Sequence, residues 1–262
     1  MSDPGQPVDA TLDAFHRGDF FLVQPRKGKG HRAGMDAMML AAAVPSGFSG
    51  RLADLGAGAG AAGLAVASRC PAVRAALIER SPEMADFARR TLAFPGNSRL
   101  ASRAEVICAD VTLTGKARHA AGLADASFDF ALMNPPFNER IDRASPDGLR
   151  REAHVMEDGL FERWLRTAAA IVKPRGGLAL IARPRSLPAI LAAIEGRFGD
   201  ARIVPVLPRP DEPAIRIVLR AVRGSRAALS LMPALAIHDA DSDRFAARAE
   251  AISNGRATLF GD

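Results

Sequence analysis

Residues 51–70 read RLADLGAGAGAAGLAVASRC. The stretch is apolar up to Leu55 except for Arg51 and Asp54, then carries glycine at 56, 58, 60 and 63. Beyond that it continues in alanine, leucine and valine with no proline. The pattern predicts a short strand over 51–56, a tight turn, and a helix over 61–70. Glycines crowded between a strand and a helix let the backbone adopt positive φ and approach a ligand closely. Asp54 is the anomaly, a carboxylate inside an otherwise apolar strand.

The same alternation spreads in both directions. Upstream, FFLVQP (20–25) predicts a strand, and MDAMMLAAAVP (35–45) a helix ended by Pro45. Downstream, AVRAALIER (72–80) predicts a strand. SPEMADFARRTLAF (81–94) predicts a helix, with Ser81 as its N-cap and Pro82 at its first position. Strands follow at 104–110 and 128–134, a helix at 160–173, a strand at 176–184 and a helix from Leu187. The last two strands, ARIVPVLP and AIRIVLRAV (214–222), are joined by a link too short for a helix, which makes them antiparallel. The expected fold is α/β and Rossmann-like: a doubly wound, seven-stranded, mostly parallel sheet with one antiparallel strand. Residues 1–19 are expected as a flexible arm and 20–262 as a single domain.

With 262 residues and 48% hydrophobic side chains, the chain can bury a sizeable core. No apolar run reaches the roughly 18 residues of a spanning helix. The opening MSDPGQPVDA has no secretory pattern, so a cytoplasmic protein without membrane association is expected. Of the two cysteines, Cys108 sits in the apolar AEVICAD and is expected as a core thiol; both are expected reduced. No metal-ligand spacing is present. Net charge is +6, but lysine occurs only at 27, 29, 116 and 173, and an arginine-rich composition weakens charge as an argument. Arg26, Lys27, Lys29, His31 and Arg32 crowd into seven residues. Two readings of that strip stand: a solvated loop, or a phosphate-contacting surface.

The glycine loop fits two patterns. Gly58-x-Gly60-x-x-Gly63 matches the dinucleotide fingerprint. Asp54-x-Gly56-x-Gly58-x-Gly60 resembles the loop of S-adenosylmethionine-dependent methyltransferases. Both want an acid ending the second strand to accept from ribose hydroxyls, and Glu79, followed by Arg80, stands there. Asp54 favours the methyltransferase pattern, because a dehydrogenase strand is usually apolar at that point. Asp110 ends the third strand, where methyltransferases commonly accept from the adenine amine, with the Val111 N–H meeting the ring. A turn cap is the plainer reading of Asp110.

The fourth strand ends in FDFALMNPPFNER (128–140). Two prolines remove donors and stiffen the strand exit beside the cofactor's reactive end. Asn134-Pro135-Pro136-Phe137 suits methylation of a planar, conjugated –NH₂. The Asn134 oxygen and the Pro135 carbonyl accept its two hydrogens, and Phe137 stacks on the ring. His154 is not required as a base, and polar residues 138–156 are expected as a mobile lid.

NPPF after such a fold resembles the amino-methyltransferases of adenine N6, cytosine N4, guanine N2 or glutamine amide. QPRKGKGHRAGMDAMMLAAAVP, with Gly30, Arg32, Asp36 and Ala37, is similar to the segment preceding the cofactor loop in bacterial valine-tRNA adenine-N6 methyltransferases. REAHVMEDGLFERWLRTAAAIVKPRGGLALI and the tail MPALAIHDADSDRFAARAEAI look like that family too. The resemblance implies a class I methyltransferase binding S-adenosylmethionine through Arg32, Asp36, Asp54, Gly56, Gly58, Gly60, Glu79, Arg80, Asp110 and Val111. Asn134, Pro135, Pro136 and Phe137 would be catalytic, and Arg26, Lys27 and Lys29 would contact RNA, a tRNA above all. A monomer or homodimer is expected. Two positions depart from the family: Phe137 stands where Tyr is usual, and the tail lacks a Tyr-Thr-Pro turn. Competing readings are a glutamine-amide protein methyltransferase, an rRNA guanine-N2 methyltransferase, an NAD-dependent oxidoreductase, and an inactive RNA-binding module.

Overall fold

The computed structural model describes residues 10–26, 32–135 and 147–262, with the backbone alone for 147–158. Eleven strands and eight α-helices run through them in one order. An antiparallel hairpin comes first, β1 (Ala10–Phe15) with β2 (Phe20–Pro25), then helix α1 (Met35–Ala41). The glycine segment follows as β3 (Gly50–Leu55) and α2 (Ala61–Arg69), then β4 (Val73–Glu79), α3 (Pro82–Ala93), α4 (Ser98–Ala101) and β5 (Ala104–Cys108). Next come α5 (Gly115–Ala120), β6 (Phe128–Met133), α6 (Asp147–Ile171), β7 (Val172–Ala182) and α7 (Leu187–Ile194). The chain closes with β8 (Phe198–Leu207), β9 (Arg216–Arg223), the two-residue strands β10 (Ser230–Leu231) and β11 (Leu235–Ala236), and α8 (Ala247–Ser253).

The main sheet has the order β10-β8-β9-β7-β6-β3-β4-β5, with β11 also on β8. Strand β9 is antiparallel to both of its neighbours; every other pair is parallel. The expected seven strands are therefore present, and β10 and β11 extend the sheet by two short ones. Strand β3 pairs with β4 on one side and β6 on the other. Strand order reverses there, and the reversal opens a crevice at the carboxyl ends of β3 and β6.

Side-chain alternation along β3 distributes the core. Leu52 faces the layer built on α1, α2 and α8, while Ala53 and Leu55 face the layer of Phe161, Trp164, Leu165 and Ile190 from α6 and α7. Ser81 caps α3 as expected, its Oγ accepting the Met84 N–H at 3.3 Å, with Pro82 in the first turn. Helix α1 ends at Ala41, before Pro45 is reached. Arg69 donates to the Ala41 and Val44 carbonyls at 3.0 and 2.6 Å, taking up groups the helix end leaves unpaired.

Several expectations change. The flexible arm does not extend to residue 19, because Ala10–Phe15 is strand β1. Its residues looked unpatterned because their partner, β2, lies across a turn. The helix expected over 160–173 begins at Asp147 and passes into β7 at Val172. The loop expected over 138–156 is therefore helical from 147 onward; 138–146 lie outside the described residues. Cys108 is exposed and Cys70 is the buried thiol. The reason is that β5 is an edge strand, so its apolar run is only partly covered. Among the described residues no helix is long and apolar enough to cross a membrane.

Candidate active site

The carboxyl end of β3 enters a loop with Gly56, Gly58 and Gly60 all at positive φ. Gly56 is irreplaceable twice over. Its φ is +73°, and a Cβ there would lie 2.5 Å from Cη2 of the buried Trp164. Gly63, in the first turn of α2, is constrained by approach instead: a Cβ would sit 2.6 Å from Leu77 Cδ2 and 3.0 Å from Asp54 Oδ2. Asp54 itself is buried and accepts the Gly63 N–H at 2.7 Å. Burial pushes its carboxyl up to about 7; the Gly63 hydrogen bond opposes that rise and the nearby Glu79 charge adds to it.

Glu79, at the end of β4, braces the same loop from the other side. Its Oε2 accepts the Gly58 N–H at 3.0 Å, and its Oε1 accepts the Ser81 N–H at 2.7 Å. Two carboxyl groups thus hold the loop, one from each side.

A cavity of about 300 Å³ lies over the loop. Its wall brings together Arg32, Asp36, Asp54, Gly56, Gly58 and Asn134, six of the residues singled out from sequence. Asn134 follows β6 directly, and Pro135 beside it is buried. Gly60, Glu79, Arg80, Asp110 and Val111 do not line this cavity. Gly60 is the N-terminal cap of α2, and Glu79 reaches the wall through Gly58. Arg80 is exposed and Val111 buried. Asp110 Oδ1 accepts both the Thr112 N–H and its hydroxyl at 2.7 Å, an Asx turn. Burial pushes that carboxyl up, but the two Thr112 bonds and the Arg80 and Arg163 charges outweigh it, leaving the pKa below the ordinary value. The turn-cap reading of Asp110 therefore holds for Oδ1.

Arg32 does not belong to a solvated strip. Its guanidinium donates to Thr11 Oγ1 and Asp13 Oδ2, each at 2.7 Å, and to the Pro25 carbonyl. Asp36 pairs with Arg216 Nε of β9 at 2.9 Å. Arg26 is exposed; Lys27, Lys29, His31, Pro136 and Phe137 lie outside the described residues, as does the His154 side chain. Sequence reasoning missed Trp164, Asp13, Gln24 and Arg216. Gln24 alone carried a signal, as a polar residue closing an apolar strand.

The donor set suits a cationic, zwitterionic ligand. Carboxyl groups line the cavity at Asp36 and Asp54 beside the Arg32 guanidinium, and Gly34, Gly56 and Gly58 put bare backbone on its wall. Fold, loop and cavity define a Rossmann-like methyltransferase of class I. The chain belongs to the methyltransferase small domain family, whose model matches residues 32–205. A crystal structure of a predicted O-methyltransferase from Agrobacterium tumefaciens is 45% identical, with TM-score 0.75, covering 86% of this chain and 98% of that one. A Bacteroides fragilis protein named tRNA1(Val) (adenine(37)-N6)-methyltransferase is 24% identical over 191 residues, 72% of this chain and 76% of its own length. The T. thermophilus 16S rRNA N2 G1207 methyltransferase, solved with AdoMet and guanosine, shares the fold. Its TM-score is 0.54 and its identity 18%, over 85% of this chain and 53% of that one. The cofactor is S-adenosylmethionine, which when bound supplies an electrophilic methyl group on a sulfonium.

Proposed function

We propose that the protein methylates an exocyclic amine, the adenine N6 of a tRNA, in the cytoplasm, as a monomer or homodimer. The observation that carries this is Asn134 on the wall of the cavity that also holds Asp54, Gly56 and Gly58. An amine conjugated to a ring has its lone pair delocalised and must pyramidalise to attack. Asn134 Oδ1 and the Pro135 carbonyl accept the two N–H groups and favour that geometry, so the chain contributes orientation and electrostatic stabilisation. Phe137 stacks on the base, and Arg26, Lys27 and Lys29 contact phosphates of a single-stranded RNA loop. Glu79 accepts from the ribose, and Asp110, through Oδ2, from the adenine of the cofactor. The name of the Bacteroides relative supports adenine N6 of a valine tRNA.

A second reading follows from the Agrobacterium protein, described as an O-methyltransferase. Transfer to a hydroxyl needs a group to take its proton, and an asparagine amide is a poor one. The experiment is mass spectrometry of nucleosides, and of peptides from the same lysates, from cells with and without the gene. Loss of N6-methyladenosine in one tRNA supports the proposal. Loss of a 2′-O-methyl nucleoside, N2-methylguanosine or methylglutamine in a protein overturns it in favour of the corresponding alternative.

A further inference from the structure

The N-terminal hairpin bonds to the wall of the cofactor cavity at Arg32 and Ala33, through two polar residues that have no role in the loop or the amine clamp. We propose that Asp13 and Gln24 are positioning residues for cofactor binding, holding cavity wall 32–37 in place across from the glycine loop.

Asp13 Oδ2 is an unusually loaded acceptor. It takes Thr11 Oγ1 at 3.0 Å, Gln24 Nε2 at 3.0 Å and Arg32 Nη2 at 2.7 Å. Hairpin register explains the grouping. Thr11 is opposite Gln24, and Asp13 lies two residues along β1 on the same face. Gln24 is 1% exposed, and its Oε1 accepts the Ala33 N–H at 2.7 Å. A flipped amide would set its NH₂ against that N–H and lose the bond to Asp13. Asp13 therefore fixes the orientation of Gln24, and Gln24 fixes Ala33, which lines the cavity.

The hairpin is itself anchored. The Val23 N–H donates to Thr91 Oγ1 at 2.9 Å and the Phe21 N–H to Asn97 Oδ1 at 2.9 Å, with Asn97 Nδ2 returning to the Phe21 carbonyl at 2.7 Å. Thr91 and Asn97 are buried, so the outer edge of β2 is paired by side chains as a strand would pair it. At the far end of the wall, Asp36 is held by Arg216. The wall is therefore clamped at both ends, and its position depends on the hairpin.

The hairpin's apolar contacts are divided: Phe20 and Leu22 are buried in a large core, while Ala10 and Val23 join Ala59, Phe87 and Met84 in a small separate cluster. Asp13 is a half-buried polar residue that is a member of neither apolar core, so its loss removes no core packing and should register at the cavity before it registers in global folding. The inference rests on the cofactor and not on the RNA substrate.

The test is calorimetric titration of the full-length chain with S-adenosylmethionine, beside unliganded thermal denaturation. Asp13→Ala and Gln24→Ala should each weaken the cofactor roughly tenfold, the scale of a lost charge-assisted contact. Turnover at saturating cofactor should stay near wild type, and any fall in the unliganded melting midpoint should be too small to unfold the chain at the titration temperature. The double variant should be no weaker than the worse single one, because both act through one chain of bonds. Asp13→Asn keeps the shape, and should be weakened less than Asp13→Ala. Folded Asp13→Ala and Asp13→Asn binding as wild type would overturn the inference. So would a loss that only tracks the unfolded fraction. Failure of the wild type to bind S-adenosylmethionine would overturn the cofactor itself and is read separately.

Discussion

Asp54 and Gly63 are joined by a 2.7 Å hydrogen bond that closes the glycine loop on itself, from the end of β3 to the first turn of α2. The acceptor is buried and titrates near 7 rather than 3.8. The folded chain therefore retains this proton over a range where the unfolded chain releases it. The associated stability is fully present below the ordinary carboxylate pKa and is lost as pH rises towards 7.

Asp54→Asn removes that titration and keeps an oxygen for the Gly63 N–H. The unfolding free energy of wild type minus variant should fall from about pH 4 to about pH 7, at no more than about 1.4 kcal/mol per pH unit, and be level above. Urea denaturation across that range measures it. A difference independent of pH would mean that Asp54 ionises like an exposed carboxylate.

Glu79→Ala should weaken S-adenosylmethionine by roughly 1.5–3 kcal/mol, the range for a hydrogen bond to a charged group. It should also lower the melting midpoint, because the Gly58 and Ser81 N–H groups lose their acceptor. Calorimetry with the folded variant checks the first point; wild-type affinity would remove Glu79 from the binding site.

Asn134→Ala should lower turnover by roughly 10²–10³-fold, the scale of losing one preorganised contact to the reacting group. Cofactor affinity should change far less than turnover. Single-turnover kinetics with saturating cofactor decide this, and a fully active variant would sink the amine clamp.

RNA affinity should fall with salt at a slope of about −0.7 per phosphate contacted on a single strand. Neutralising Lys27 and Lys29 should flatten the slope by about one or two units. Arg32 is excluded from that substitution because it is bonded to Asp13 and lines the cavity. Filter binding at several salt concentrations separates the cases: equal slopes would make the lysines ordinary surface.

Local pattern carried the strand–loop–helix unit, the cap of α3 and the antiparallel β9. Each depends on residues close in sequence, through alternation, φ freedom at glycine, or a side chain bonding its own backbone. The site was legible where motif residues lie at strand ends, since a parallel sheet brings its carboxyl ends to one edge; Asp54, Gly56, Gly58 and Asn134 met there for that reason. The tertiary structure alone decided which distant groups finish the site. Trp164 backs Gly56 from α6, Arg216 holds Asp36 across 180 residues, and Asp13 and Gln24 support a wall the sequence presents as a basic loop. Exposure of Cys108 was decided the same way, by β5 being an edge strand. Those partners are selected by packing and charge between segments far apart in the chain, and a linear pattern of residues holds no record of which side chains will converge.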